Sequence, residues 1–285
     1  MSMKQLKEQI MEIVFLVAAC VSILAVALIC VFLFANGLPA IQKIGILDFL
    51  GGQTWKPSND QFGIFPMILG SIYVTGGAIL VGVPVGILMA VFMSKFCPKK
   101  LYQFMKPMVD LLAGIPSVVY GFFGLVVMVP LIRQYFPGNG KSIVTASLLL
   151  AIMILPTIIG VSETAIRSVP QSYYEGALAL GATHERSVFA AMLPAAKSGI
   201  FAGVVLGIGR AIGETMAVMM VAGNQARVPE SIFKGVRTLT TNIVMEMGYA
   251  TDLHREALIA TGVILFVMIL MINTAFSLLK KGEQA

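Results

Sequence analysis

The stretch SGIFAGVVLGIGRAIGETMAVMMV, residues 198–221, decides the fold. As a helix it would rise about 36 Å, more than the roughly 30 Å hydrocarbon core of a bilayer, and its only charges are Arg210 and Glu214 near the middle. An arginine at the centre of a bilayer costs about 2.5–3.5 kcal/mol on insertion scales, so it belongs against a partner helix or a water-filled path and not against lipid. On a continuous helix at about 100° per residue, Gly203, Gly207, Arg210, Glu214 and Ala217 fall within a stripe roughly 60° wide. Gly203 and Gly207 have the small-xxx-small spacing that lets two helices approach closely.

The rest of the chain shares this apolar character. Of its 285 residues 58% are hydrophobic and 12% charged, against about 25% charged in soluble domains. Six runs are long enough to cross a membrane: 13–35, 65–93, 108–132, 143–166, 198–221 and 257–279. The expectation is an all-α integral membrane protein of six transmembrane helices. A tail over 1–12 precedes a first span over 13–35, a loop over 36–64 and a five-span core over 65–279 that includes connecting segments 167–197 and 223–256; a short tail, 280–285, follows. The first run exceeds the apolar core of a signal peptide about twofold and has no clean small-residue cleavage site, so it reads as a retained span.

Several chemistries find little support in the residues. Cys20, Cys30 and Cys97 form no CxxC pair, and the two histidines, His184 and His254, are far apart, which argues against a metal or disulfide site. No Ser/His/Asp cluster gathers at one depth, as a membrane-embedded hydrolase would require. PGNGKS, residues 137–142, resembles the end of a phosphate-cradling loop, but Tyr135 stands where that motif needs glycine and an apolar span, not a strand, precedes it. It reads as a turn between spans, so no cofactor is expected in this chain and any ATP would be bound by another.

Six crossings place both tails on one side. That side carries eleven Lys and Arg residues outside the spans against eight on the other, and most of the eight lie in two long loops, which influence orientation less. Both termini are therefore expected inside. The net charge of +6 then reflects membrane orientation; without an aromatic-interleaved basic patch, no nucleic-acid partner is implied. On the outside, Trp55 reads as an interfacial anchor, and residues 39–50 as a segment that could lie along the membrane surface. Either long loop is also a place to receive a partner protein.

The fourth connection, RSVPQSYYEGALALGATHERSVFAAMLPAAK (167–197), carries more information. Pro170 stops the preceding helix, and Ser172 with Glu175 has capping-box spacing. Gly181 suits a left-handed helix end, Thr183 a second cap, and Pro194 the start of span five. Two short helices joined at Gly181 would leave Ala177, Leu178, Leu180, Val188, Phe189 and Met192 to be covered, either by the bundle itself or by a separate cytoplasmic subunit.

Glu175-Gly176-Ala177, three residues, Gly181, nine residues and then Ala191-Met192-Leu193-Pro194 resembles the EAA loop of ABC-importer permeases. It departs from that pattern at Gly176, usually alanine, and at Ala191, usually isoleucine. GIPSVVYGFFG (114–124), GRAIGETMAVMMVAGN (209–224) and VRTLTTNIVMEMG (236–248) are similar to the phosphate-specific transport (Pst) permeases, nearer the PstC branch than its paired PstA branch, over residues 62–285. The resemblance implies a type I importer bundle in a bacterial or archaeal cytoplasmic membrane and a role as half of a phosphate pore. The implied partners are a PstA-like permease, two PstB-like ATPase subunits that bind the ATP, and a PstS-like phosphate-binding protein. It further implies that Glu175, Gly176, Ala177, Gly181, Leu193 and Pro194 couple the chain to its ATPase.

Arginine's permanent, fork-shaped cation suits a tetrahedral oxyanion, so Arg210 is the candidate contact for phosphate, with Glu214 orienting the guanidinium or limiting how tightly the ion binds. The alternative is that the two residues neutralise each other at i,i+4 and simply hold the bundle together. Ser117 and Tyr120, beside the Pro116 kink, are further candidates for the path, with packing as the alternative. Glu163 and Asp110 read as interface residues, and Pro84, Pro116 and Pro156 as kinks. A different class of protein, an ion channel or secondary anion transporter using Arg210 and Glu214 as its charge site, would transport without an ATPase or a binding protein.

Overall fold

Six helices long and apolar enough to cross a membrane organise the chain in the computed structural model, which describes residues 3–282. Residues 1–2 and 283–285 of the expected tails lie outside the described residues. In order, the elements are α1 (Met3–Ile44), α2 (Ile46–Gly51), a hairpin of β1 (Trp55–Lys56) and β2 (Gln61–Phe62), α3 (Phe65–Val91), α4 (Lys99–Gly114), α5 (Ser117–Phe123), α6 (Val129–Tyr135), α7 (Ile143–Arg167), α8 (Gln171–Ala179), α9 (His184–Ser187), α10 (Leu193–Gly213), α11 (Met216–Val221), α12 (Leu239–Glu246) and α13 (Asp252–Gly282). π-helical turns continue α3 to Phe96 and join α5 to α6 and α9 to α10.

α7 is the axis of the bundle. Two-thirds of its most apolar stretch is buried, whereas none of the corresponding stretch of α1 is. Ser142 starts α7 by accepting the Thr145 N–H, and Ile154 and Ile158 fill the core between α3 and α10 while Leu149 packs against Gly124 of the third span. Lipid provides no hydrophobic drive between helices, so close van der Waals approach must hold them together. Gly203 and Gly207 permit it: a Cβ on Gly203 would come within 3.1 Å of Ser162 Oγ, and one on Gly207 within 2.8 Å of the Ile158 side chain.

The connections alternate between the two ends. At one end, Trp55 Nε1 donates to Glu246 Oε2 at 2.8 Å and Lys43 pairs with Glu256 at 2.8 Å, joining the first connection to the fifth. The third joins them through the stacked rings of Phe136 and Phe233 and the Ile143 N–H donated to the Lys234 carbonyl. At the opposite end, Arg167 Nη2 donates to the Met93 carbonyl at 2.9 Å and the Phe96 ring packs edge-on against His184.

Several local expectations need correction. α1 continues through residues 36–44, and Ala40, Ile41 and Phe49 pack with Leu239 and Leu258 instead of lying along a membrane surface. Trp55 is only 6% exposed and hydrogen-bonded, so it is a core residue of the hairpin end and not an interfacial anchor. The third span runs over Ser117–Tyr135, and α4 is a separate helix before the break at Ile115–Pro116. Helix α8 begins after Pro170, which makes no side-chain cap, so Ser172 is not a capping residue. Thr183 does cap α9 through the Arg186 N–H, and Gly181 adopts φ +82° between the two helices.

Candidate functional site

Span five does not cross as one helix. α10 ends at Gly213, Glu214 is extended (φ −69°, ψ 130°), and α11 begins at Met216. This breaks the stripe expected from residue spacing: Glu214 and Ala217 do not continue the face that carries Gly203, Gly207 and Arg210. The Glu214 carboxylate accepts the Ala217 N–H at 3.1 Å, and its carbonyl accepts the Thr240 hydroxyl at 3.1 Å. Glu214 therefore closes the first turn of α11 and, among the described residues, makes no ion pair with Arg210.

Arg210 is half-buried, on the last turn of α10. Its Nη1 donates to Thr157 Oγ1 at 3.3 Å, near the middle of α7. Among the described residues this is the one hydrogen-bond partner of the guanidinium, so the mid-bundle cation is neither neutralised nor saturated. Tyr120 stands on α5, the first helix of span three. It is 5% exposed and donates its hydroxyl to the Leu112 carbonyl at 2.8 Å, across the break between α4 and α5. Ser117, one turn earlier at the start of α5, is half-buried. Arg210 and Thr157 are thus brought together, whereas the Glu214 carboxylate bonds within α11 and, among the described residues, neither Tyr120 nor Ser117 hydrogen-bonds to Arg210. No spacing signal pointed to Thr157, because its pairing with Arg210 is 53 residues long-range.

At the end opposite the hairpin, Glu163 is not an interface residue. Its side chain is 3% exposed and receives Arg167 Nε at 2.8 Å and Lys106 Nζ at 3.4 Å. The Arg167 guanidinium also lies 4.5 Å from the centre of the Tyr102 ring. The nearby Glu163 carboxylate, with burial, pushes the Tyr102 hydroxyl above the ordinary tyrosine range. Burial pulls the Lys106 ammonium down, but Glu163 and Asp110 outweigh it, and the net shift is upward. Asp110 itself is largely exposed and pairs with Lys106 at 3.4 Å. The i,i+4 spacing of Glu163 and Arg167 signalled half of this cluster; the residues from α4 had no such signal.

In the 167–197 segment, Val188 and Met192 are fully buried against Ala90, Val91 and Ile166 of the bundle. Leu180, 91% exposed, and Tyr173, Leu178 and Phe189 remain uncovered. Glu175, Gly176 and Gly181 are exposed, Ala177 and Leu193 half-buried, and Pro194 sits in the first turn of α10. The segment thus packs one side on its own chain and presents the other.

A family model described as "Binding-protein-dependent transport system inner membrane component" matches residues 82–282. The chain is 39% identical over 272 residues to the probable ABC transporter permease protein YqgH of Bacillus subtilis, covering 93% of this chain and 88% of that one. It is 36% identical over 265 residues to the phosphate transport system permease protein PstC of Mesorhizobium japonicum, covering 86% and 81%. It is 32% identical over 298 residues to the probable PstC of Methanocaldococcus jannaschii, covering 96% and 94%. In fold it is similar to a chain of a bacterial alginate ABC transporter, with TM-score 0.65, 18% identity and 94% of each chain covered. It is also similar to a chain of the MetNI methionine ABC transporter, with TM-score 0.63, 19% identity, and 80% and 99% covered.

Proposed function

The chain belongs to the family of binding-protein-dependent transport system inner membrane components, and from that premise we propose that Arg210 is the cation that phosphate meets inside the membrane. The chain is a multi-pass permease subunit of an ABC importer for phosphate and works with ATPase and substrate-binding partners. The observation that carries the Arg210 reading is its half-buried guanidinium near mid-bundle, with a single hydroxyl partner among the described residues and the Glu214 carboxylate bonded to α11. A multivalent oxyanion faces its highest barrier where water is scarcest, and a preformed fork of N–H donors there lowers it. Tyr120 and Ser117 line the approach, and Glu214 acts by ending α10 beside Arg210 and not by pairing with it. Phosphate uptake by the reconstituted complex, parental and Arg210→Gln, tests this reading.

The proposed assembly pairs this chain with a PstA-like permease, two PstB-like ATPase subunits that bind all the ATP, and a PstS-like phosphate-binding protein. The end bearing both chain tails and the 167–197 segment is cytoplasmic. Support comes from the charge count and from the uncovered Tyr173, Leu178, Leu180 and Phe189, an apolar surface that docking on an ATPase subunit would cover. In a variant without Cys20, Cys30 and Cys97, single cysteines at Lys99 and Leu180 are expected to escape an impermeant thiol reagent in intact cells and to react in inverted vesicles. Labelling in intact cells would reverse the orientation.

Coupling through Glu175, Gly176, Ala177, Gly181, Leu193 and Pro194 makes a second expectation. Gly181 holds φ +82° in open space, so Gly181→Val meets no steric neighbour, and its cost is the left-handed backbone itself, about 1–2 kcal/mol. Insertion should survive, while α8 swings away from its docking position. ATP hydrolysis stimulated by the phosphate-loaded binding protein is expected to fall, and normal stimulation in this variant would count against the docking role.

A further inference from the structure

The outer piece of span five is held by different bonds from the piece that carries Arg210. Between α10 and α11 the helical hydrogen bonding is interrupted at residues 214–215, whereas the segment 236–246 grips α11 at both of its ends. Before α11, the Thr240 hydroxyl donates to the Glu214 carbonyl at 3.1 Å. After it, Arg237 Nε donates to the Asn224 carbonyl at 3.2 Å, the Val236 N–H donates to the Ala222 carbonyl at 2.8 Å, and Asn224 Nδ2 donates back to the Met219 carbonyl at 2.7 Å. Arg237 is fixed in turn by Asn242 and by Glu246.

Glu246 is where this grip meets the rest of the hairpin end. Its side chain is 9% exposed and, besides Arg237, takes Trp55 Nε1 at 2.8 Å and His254 Nε2 at 2.9 Å. One ionic partner would neutralise the carboxylate. Three donors instead come from three separate parts of the chain: the β1–β2 hairpin, the segment before α12, and the first turn of α13. Moving the hairpin or the turn of α13 alone costs this buried carboxylate a hydrogen bond, and moving the segment before α12 costs it its arginine, the most unfavourable of the three. We infer that Glu246 is a positioning residue for transport: through Arg237 and Thr240 it makes the hairpin and α12 a single lever on α11, so that docking of the substrate-binding partner on this end sets the opening above Arg210. This rests on the reading that phosphate passes Arg210 and that the hairpin end faces outward.

The test is ATP hydrolysis by the reconstituted complex, measured with and without phosphate-loaded binding protein. Glu246→Gln is expected to lower the stimulated-to-unstimulated ratio about fivefold or more, the range of a typical coupling between sites, with unstimulated hydrolysis retained. Thr240→Val deletes one hydroxyl at nearly constant volume, so assembly should survive, and the ratio should fall in the same direction. A purely structural role for the cluster would reduce the yield of assembled complex and leave the ratio unchanged. If Glu246→Gln fails to assemble, Thr240→Val decides, and a parental ratio in that assembled variant overturns the inference. Because the readout is hydrolysis and not flux, a reduced ratio alongside normal uptake by Arg210→Gln would sink the Arg210 reading and leave the lever standing.

Discussion

Arg210→Gln is expected to cut ATP-driven phosphate uptake about a hundredfold, equivalent to roughly 3 kcal/mol on the transit barrier, while membrane insertion and subunit assembly stay near normal. Two features of the site separate these effects. The guanidinium makes one hydrogen bond, to Thr157, and a glutamine amide can replace that donor, so little stability is lost. The charge itself has no carboxylate partner among the described residues, so removing it strands no buried anion; the only species to lose a counter-charge is the passing oxyanion. Arg210→Lys should recover only a small part of the flux, since an ammonium lacks the planar fork that meets two phosphate oxygens at once. Uptake of labelled phosphate into proteoliposomes, normalised to assembled complex, measures both variants.

The second large effect is on stability. Glu163→Leu should destabilise the permease by about 3 kcal/mol, the low end for breaking a buried ion pair because Lys106 and Arg167 keep partial access to solvent. Removal of the carboxylate leaves both cations facing an apolar side chain. Arg167 retains the Met93 carbonyl and the Tyr102 ring, but the ionic tie between α4 and α7 is gone. Glu163→Gln keeps an acceptor and should lose less. Thermal unfolding of the purified complex in detergent checks the order parental, Glu163→Gln, Glu163→Leu; equal midpoints would show that the cluster does not hold α4.

Apolar length marked the six crossings in the sequence because a bilayer requires about 20 consecutive apolar residues and admits few charges. The joint at Gly181 was also readable, since the left-handed conformation there is cheap only for glycine. Helix interruptions were harder to read. Gly114-Ile115-Pro116 announces a break, but apolar length alone carries the span across it and leaves Pro116 as a kink. Gly213-Glu214-Thr215 has no proline at all, and its break accompanies a tertiary contact, the Thr240 hydroxyl on the Glu214 carbonyl, 26 residues away in the chain. Periodicity assumes an unbroken helix, so the stripe containing both Arg210 and Glu214 failed at that point.

The charged clusters follow the same logic. Arg210 stood out because its charge is costly in an apolar run, but the hydroxyl that receives it came only with the fold. A lone tryptophan fits a lipid interface as well as a buried site, and the partner that decides for Trp55, Glu246, lies 191 residues away. Glu163 near the end of a span suggests an interface residue, because its partner Lys106 belongs to a helix that local spacing does not align with α7.

Phosphate uptake by the double variant Arg210→Gln, Glu214→Gln, measured beside Arg210→Gln alone in the same reconstituted complex, tests the central claim most directly. If Arg210 serves the cargo and Glu214 serves the break in span five, neutralising Glu214 as well restores nothing, and the double variant should transport as poorly as the single one. If the two residues were a structural ion pair, joint neutralisation would be tolerated better than loss of one partner. Parental flux in the assembled double variant would contradict the role given to Arg210.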